Sequence, residues 1–313
     1  MSEVSMCFKL TLIFFLAEIL LSEVASAQQN DPILFTSLAD GRRQVYIMSR
    51  DGERPKPLFD HSKFDERPSW APDGTQIAFR STPNDILDIF VIDRDGTNPV
   101  NLTNHPRSDT EPAWSPDGTK IAFASFRSGD WDIHVMNADG TNPVNLTNSP
   151  SSDRWPSWSP DGTKIAFKSQ RDGNGEIYVM NADGTDPINM TTHPDEDSEV
   201  AWAPTGDHIA FISRREGAYE VFRMDSDGSN VINLTNYPGQ DAEPDWSPDG
   251  SQVIFQSIRD DHNDWEIYLM ASDGSNQHRL TRLPGGNTQP TWAPNGHVLT
   301  LIQPIVWGRL KAK

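Results

Sequence analysis

The sequence predicts an all-β fold, a six-bladed β-propeller of four-stranded antiparallel blades closed by N- and C-terminal strands in one shared blade. Three observations carry this. Trp70, Trp114, Trp158, Trp202, Trp246 and Trp292 stand 44, 44, 44, 44 and 46 residues apart. Each lies in the same local run of turn and strand residues, and a period in the forties with four strand-like segments per copy marks a propeller. The count of strand types also closes a ring. First strands end at the six tryptophans, third strands begin near Gln44, Asp88, Asp132, Glu176, Glu220 and Glu266, and fourth strands contain Leu58, Leu102, Leu146, Met190, Leu234 and Leu280. Second strands number seven, because both Ile33 to Ser37 and Val298 to Leu301 qualify; the repeats start at a second strand and end just after a first one, so one blade is stitched from the two ends, with the surplus strand overlapping that blade or capping its rim. Such closure removes free sheet edges.

Residues 1–27 precede the repeats and read as a secretory signal peptide. Lys9 leads the apolar run Leu10 to Ala17, and Ala25-Ser26-Ala27 forms a small-x-small cleavage site. Glu18 interrupts the apolar stretch, so no stable membrane span is expected. The division that follows is signal peptide 1–27, linker 28–31, propeller 32–303 and tail 304–313. Cys7, the single cysteine, falls in the leader, which leaves no thiol for disulfides, zinc or nucleophilic attack. Lys and Arg number 26 against 45 Asp and Glu, a net charge of −19. Losing Lys9, Glu3, Glu18 and Glu23 makes this 25 − 42 = −17. Nucleic acid needs a basic face and is therefore not an expected partner.

The copy from Asp109 shows why each element forms. Four strands are predicted over Glu111 to Trp114, Lys120 to Ser125, Asp132 to Asn137 and Pro143 to Thr147. Ser115-Pro116-Asp117-Gly118 is a type I turn joining the first two, and Asp139-Gly140 is expected as a two-residue hairpin joining the last two. Proline stands two residues before five of the tryptophans, as Pro68, Pro112, Pro156, Pro244 and Pro290. Proline is tolerated only at a sheet edge, so the first strand is the inner edge facing the central channel. The tryptophans then pack between blades.

Two rings of residues are candidates for function. Five positions before each tryptophan stand Asp65, Asp109, Asp153, Asp197, Asp241 and Asn287. Five carboxylates and an amide, one per blade, would hold Ca²⁺ or a partner's Lys or Arg, or each Asp would simply accept backbone N–H bonds in its turn. Three positions before each tryptophan stand Arg67, Glu111, Trp155, Glu199, Glu243 and Gln289, expected on the same strand face by period-two alternation. These differ from blade to blade where the fold alone would keep them alike. With Asp245 and Arg154 they form the expected partner-contacting surface, with Trp155 as anchor. Arg127, Arg171, Arg215 and Arg259 are expected to pair with Asp132, Glu176, Glu220 and Glu266 inside each blade. The Asn-x-Thr triplets at Asn101, Asn145, Asn189 and Asn233 read as repeat consensus. Catalytic signatures are absent: there is no G-x-S-x-G, no H-E-x-x-H, and the eight histidines show no recurring spacing.

The pattern Trp-Ser-Pro-Asp-Gly, Ile-Ala-Phe, Ile-Tyr-Val-Met-Asn-Ala-Asp-Gly and Asn-Leu-Thr resembles the WD-like propeller repeats of the TolB family, the periplasmic component of the bacterial Tol-Pal envelope system. The resemblance covers the propeller part of that family, without its N-terminal α/β domain. It implies an exported propeller serving as a protein-binding platform. The expectation is a periplasmic or secreted, monomeric, non-enzymatic scaffold without a resident cofactor. It would bind a protein or peptide, an envelope lipoprotein among the candidates, at the acidic mouth of its channel. The alternatives are a metal-dependent propeller polysaccharide lyase and a glycan-binding propeller.

Overall fold

The computed structural model describes residues 31–59, 65–83, 85–259 and 264–294. The leader, the tail and the second-strand candidate at Val298 lie outside the described residues. Six four-stranded sheets form, and in each the strand order is that of a meander. The inner strands are Asp65–Trp70, Asp109–Trp114, Asp153–Trp158, Asp197–Trp202, Gln240–Trp246 and Asn287–Trp292, here blades 1 to 6 in that order. Each inner strand packs against the inner strands of both neighbours, which closes the wheel. Blade 6 is made from both ends of the described chain. Ile33–Ser37 pairs antiparallel with Asn287–Trp292, and the Ser37 hydroxyl donates to Asn287 at 2.7 Å.

The core lies between blades. Phe35, Phe79, Phe123, Phe167, Phe211 and Phe255, one per second strand, are at most 1% exposed. Ala71, Ala78, Ile89 and Val91 of blade 1 pack with Trp114, Ile121, Phe123 and Met136 of blade 2, and the other interfaces repeat this. Each such phenylalanine stabilises the fold by about 2 to 3 kcal/mol.

Second and third strands in the Asp109 copy span Lys120–Ser125 and Asp132–Asn137, as the sequence predicts. The fourth is shorter, Val144–Asn145. Its Asn-Leu-Thr triplet does structural duty. Thr147 accepts the Ile133 N–H at 3.0 Å and donates to Asp132 at 3.1 Å, while Asn145 donates to Asp132 at 2.9 Å. Glu176, Glu220 and Glu266 receive Thr191, Thr235 and Thr281 in the same way. The third-strand carboxylate is thus the clasp that ties the outer strand down. The hairpin before it differs from expectation. Gly140 N–H bonds Asn137 C=O at 2.9 Å and Asn137 N–H bonds Thr141 C=O at 2.9 Å. This is a three-residue loop in which Gly140 (φ 84°) takes the left-handed conformation, and the Asp139 side chain instead caps Thr141 N–H at 3.0 Å.

Candidate functional site

The ring three residues before each tryptophan is set by a backbone irregularity that alternation does not foresee. The pairing of first and second strands shifts register between Glu66 and Ser69, and likewise between Thr110 and Ala113, Arg154 and Ser157, Ser198 and Ala201, and Ala242 and Asp245. At the bulge Arg67, Glu111, Trp155, Glu199, Glu243 and Gln289 all have positive φ, from 50° to 58°. Left-handed backbone is unfavourable for non-glycine residues, and here it recurs six times. The bulge takes these side chains off the face that carries the aspartates and turns them to the hub. There Arg67, Glu111, Trp155, Glu243 and Gln289 line a cavity of about 300 Å³, floored by the prolines that follow them. A second cavity of about 360 Å³ lies at the tryptophan ends of the inner strands, between Trp70, Trp202, Trp246 and Trp292.

Charges at the hub are largely answered within the protein. Arg67 reaches across blade 6 to Glu243, Nη1 to Oε1 at 2.7 Å. Burial pulls the Arg67 pKa down, but Glu243, Glu111 and Glu199 together push it up. Arg154 donates to Glu111, whose other oxygen accepts the Trp155 N–H at 2.8 Å. Glu199 accepts the Glu243 N–H at 2.8 Å. Its pKa is raised to about 8, first by burial and next by the neighbouring Glu243, so it is mostly protonated at neutral pH. Gln289 accepts the Arg67 N–H at 3.1 Å. Asp245, raised to about 6 by burial, accepts Trp292 N–H at 2.9 Å and its own neighbour's N–H at 3.0 Å. Asp245 is therefore a cap on the next blade as well as a wall of both cavities.

The aspartate ring is placed differently. Asp109, Asp153, Asp197 and Asp241 are fully buried and paired with Arg127, Arg171, Arg215 and Arg259 of their own blades, at 2.9, 3.2, 3.0 and 2.7 Å. Asp65 is buried too, and Asn287 takes the ring position in blade 6 by bonding Ser37 and Glu266. The arginine partner is a correction to the sequence reading. Asp109 and Asp132 both stand opposite Ser125, but Asp132 is already taken by the Ser128, Asn145 and Thr147 side chains and the Ser149 N–H, so Arg127 pairs with Asp109. Among the described residues no group of three or more His, Cys, Asp or Glu side chains is arranged to hold a metal ion.

Sequence reasoning missed a second set of hub-side residues. Odd blades carry Arg80, Lys168 and Gln256 on their second strands, where even blades have Ala124, Ile212 and Thr36. Arg80 donates to Thr110, Lys168 pairs with Glu196 and Gln256 accepts the Gln289 N–H, each reaching the next blade. One position before the tryptophan the series Ser69, Ala113, Ser157, Ala201, Asp245, Thr291 alternates as well. Ser157 and Asp245 accept Trp202 and Trp292 N–H, whereas the Ala113 and Ala201 carbonyls accept Trp158 and Trp246 Nε1–H. A two-blade superperiod of 88 residues was the signal that would have revealed them.

Comparison with known proteins agrees with this architecture. Residues 16–153 match the TolB beta propeller domain family and residues 132–220 the Tricorn protease N-terminal beta propeller domain family. No curated protein sequence matches the chain. The structure of TolB from Acinetobacter baumannii is similar at a TM-score of 0.72 and 25% identity, over 85% of this chain and 67% of that one. A TolB-like protein from Agrobacterium tumefaciens gives 0.70 and 24%, over 85% of this chain and 95% of that one. A more distant likeness, at 0.52 and 15%, is to an oligogalacturonate lyase in complex with manganese, over 69% of this chain and 65% of that one.

Proposed function

From the premise that this wheel is a TolB-type propeller, we propose that the chain is an exported, non-enzymatic scaffold of the cell envelope that holds a protein or peptide partner at the hub. The observation that carries this is the ring at Arg67, Glu111, Trp155, Glu199, Glu243 and Gln289. Its backbone is the same in all six blades while its side chains are not. A fold that maintains six unfavourable φ values at positions holding Arg, Glu, Trp and Gln, five of the six lining one cavity, is organised around recognition. Trp155 is the anchor, and Arg154, Asp245 and the remaining ring residues set the polar rim. Four of the five carboxylates of the aspartate ring are engaged by arginines, so on this reading no resident cation is needed there. The lyase reading finds support only in a shared fold, since the described carboxylates and histidines do not converge as metal ligands.

The test is affinity capture from an envelope extract with the wild-type chain and with a Trp155→Ala, Glu199→Ala double variant. A specific partner retained by the first and lost by the second supports the proposal. Recovery of no specific partner by the wild-type chain, or equal recovery by both, counts against it.

A further inference from the structure

The hub is not uniformly acidic. In the sector of blades 1 to 3 three cations surround one indole: Arg154 lies 4.4 Å, Lys168 5.1 Å and Arg67 5.9 Å from the Trp155 ring. Arg154 is held in place from its other side by Trp131, 4.9 Å away. Blade 3 alone has this arrangement, because the residue before the ring position is Glu66, Thr110, Ser198, Ala242 or Thr288 in the other blades. The hydrogen-bond inventory of the sector is unbalanced in one direction. Arg67 gives Nη1 to Glu243 and Arg154 gives Nη2 to Glu111, yet Nε of both, and Nε1 of Trp155, are buried without a partner. All three are donors. Buried polar groups are nearly always satisfied, and Arg67 and Trp155 line the hub cavity with Arg154 stacked on the indole, so these unpartnered donors ask for an acceptor.

We propose that Arg67, Arg154 and Lys168 around Trp155 form a subsite for a carboxylate, that of an aspartate or glutamate side chain on the partner peptide. The proposal rests on the reading of the hub as a peptide-binding site and deepens it. A carboxylate is planar, singly charged and matched to the Nε edge of a guanidinium. A doubly charged phosphate fits less well beside Glu111 and Glu243 in a chain of net charge −19. Glu199, whose pKa burial and the neighbouring Glu243 raise to about 8, adds little opposing charge at neutral pH.

The test uses the full chain labelled with nitrogen-15 and three blocked pentapeptides, a central Glu, Gln or Lys flanked by glycines. The readout is the Trp155 indole N–H resonance, assigned with a Trp155→Phe variant. The expected result is that the Glu peptide shifts this resonance at a concentration about tenfold lower than the Gln peptide, the discrimination of one charge-assisted contact. Lys168→Gln, which frees only the partly exposed Glu196, should weaken the Glu peptide several-fold with an unchanged melting temperature. Arg154→Lys should retain more affinity than Arg154→Gln. Equal shifts by Glu and Gln peptides, or no shift by the Glu peptide, overturn the subsite. If the Lys peptide shifts the resonance and the Glu peptide does not, the subsite is wrong but peptide binding at the hub stands. If none of the three does and envelope capture finds no Trp155-dependent partner, both have failed.

Discussion

Arg259 bonds Asp241 at 2.7 Å with 8% of its side chain exposed and none of the aspartate's. An ion pair this deep is weak support for stability as a pair but costly to break on one side, because the remaining charge is stranded. Arg259→Ala should therefore lose about 3 to 5 kcal/mol in urea denaturation; a loss no larger than that of an exposed arginine would show that the ring is not structural. Glu199 makes the opposite prediction. Its folded pKa, about 8, lies above its unfolded value, so the native state binds more protons than the unfolded one between roughly pH 4.5 and 8. Stability held below that window is lost as pH rises through it, and Glu199→Gln should flatten the decline; an unchanged pH profile would refute the assignment. Residue identity at the hub was legible in the sequence, since internal comparison of six copies isolates Trp155 and its ring. The Arg–Asp pairing was not, because it depends on the clasp of Ser128, Asn145 and Thr147 occupying Asp132, and Arg127 stands 18 residues from its partner but only 5 from the one expected.

Strands were easier to read than the irregularities between them. Alternation of apolar residues and the Ser-Pro-Asp-Gly turns fix second and third strands to the residue, whereas the bulge at each ring position leaves no mark that a period-two reading detects. Its physical signal, in five blades of the six, is the proline that follows, which cannot donate to a ladder and so accompanies a place where pairing lapses; blade 4 keeps the bulge with Val200 there. Glycines at the hairpins separate two kinds of constraint. Gly129 (φ 107°) has nothing within 4 Å of where a Cβ would sit, while at Gly140 (φ 84°) that atom would lie 2.8 Å from the Leu102 carbonyl oxygen of the neighbouring blade. Gly129→Ala should cost only the left-handed backbone, about 1 kcal/mol. Gly140→Ala should cost roughly 1 to 3 kcal/mol more, by forcing two blades apart. Thermal or urea unfolding of the two variants checks this, and equal losses would mean that the turn does not brace the interface.

At the scale of the wheel, closure was visible in a count of strand types, and Ile33–Ser37 joined to Asn287–Trp292 bears it out. The alternation of interfaces was hidden because every blade was read against a single consensus, which averages odd and even copies. Six identical blades would make six identical interfaces. Here the interfaces after blades 3 and 5 use the Ser157 and Asp245 side chains to cap the next tryptophan's backbone, and those after blades 2 and 4 use the Ala113 and Ala201 carbonyls to take the next indole N–H. The hub inherits this near three-fold character: Arg67, Trp155 and Glu243 come from odd blades, while Glu111, Glu199 and Gln289 of even blades receive the backbone N–H groups of the residues that follow them round the ring. Ser157→Ala should then cost about 1 kcal/mol, because the Trp202 N–H loses its acceptor 3.0 Å away. Ala113→Ser, at the equivalent place in an even blade, should gain nothing, since that interface is already satisfied through the Ala113 carbonyl. Matched urea titrations of the two variants decide the point: if Ala113→Ser stabilises by as much as Ser157→Ala destabilises, the blades are interchangeable and the two-blade repeat has no energetic meaning.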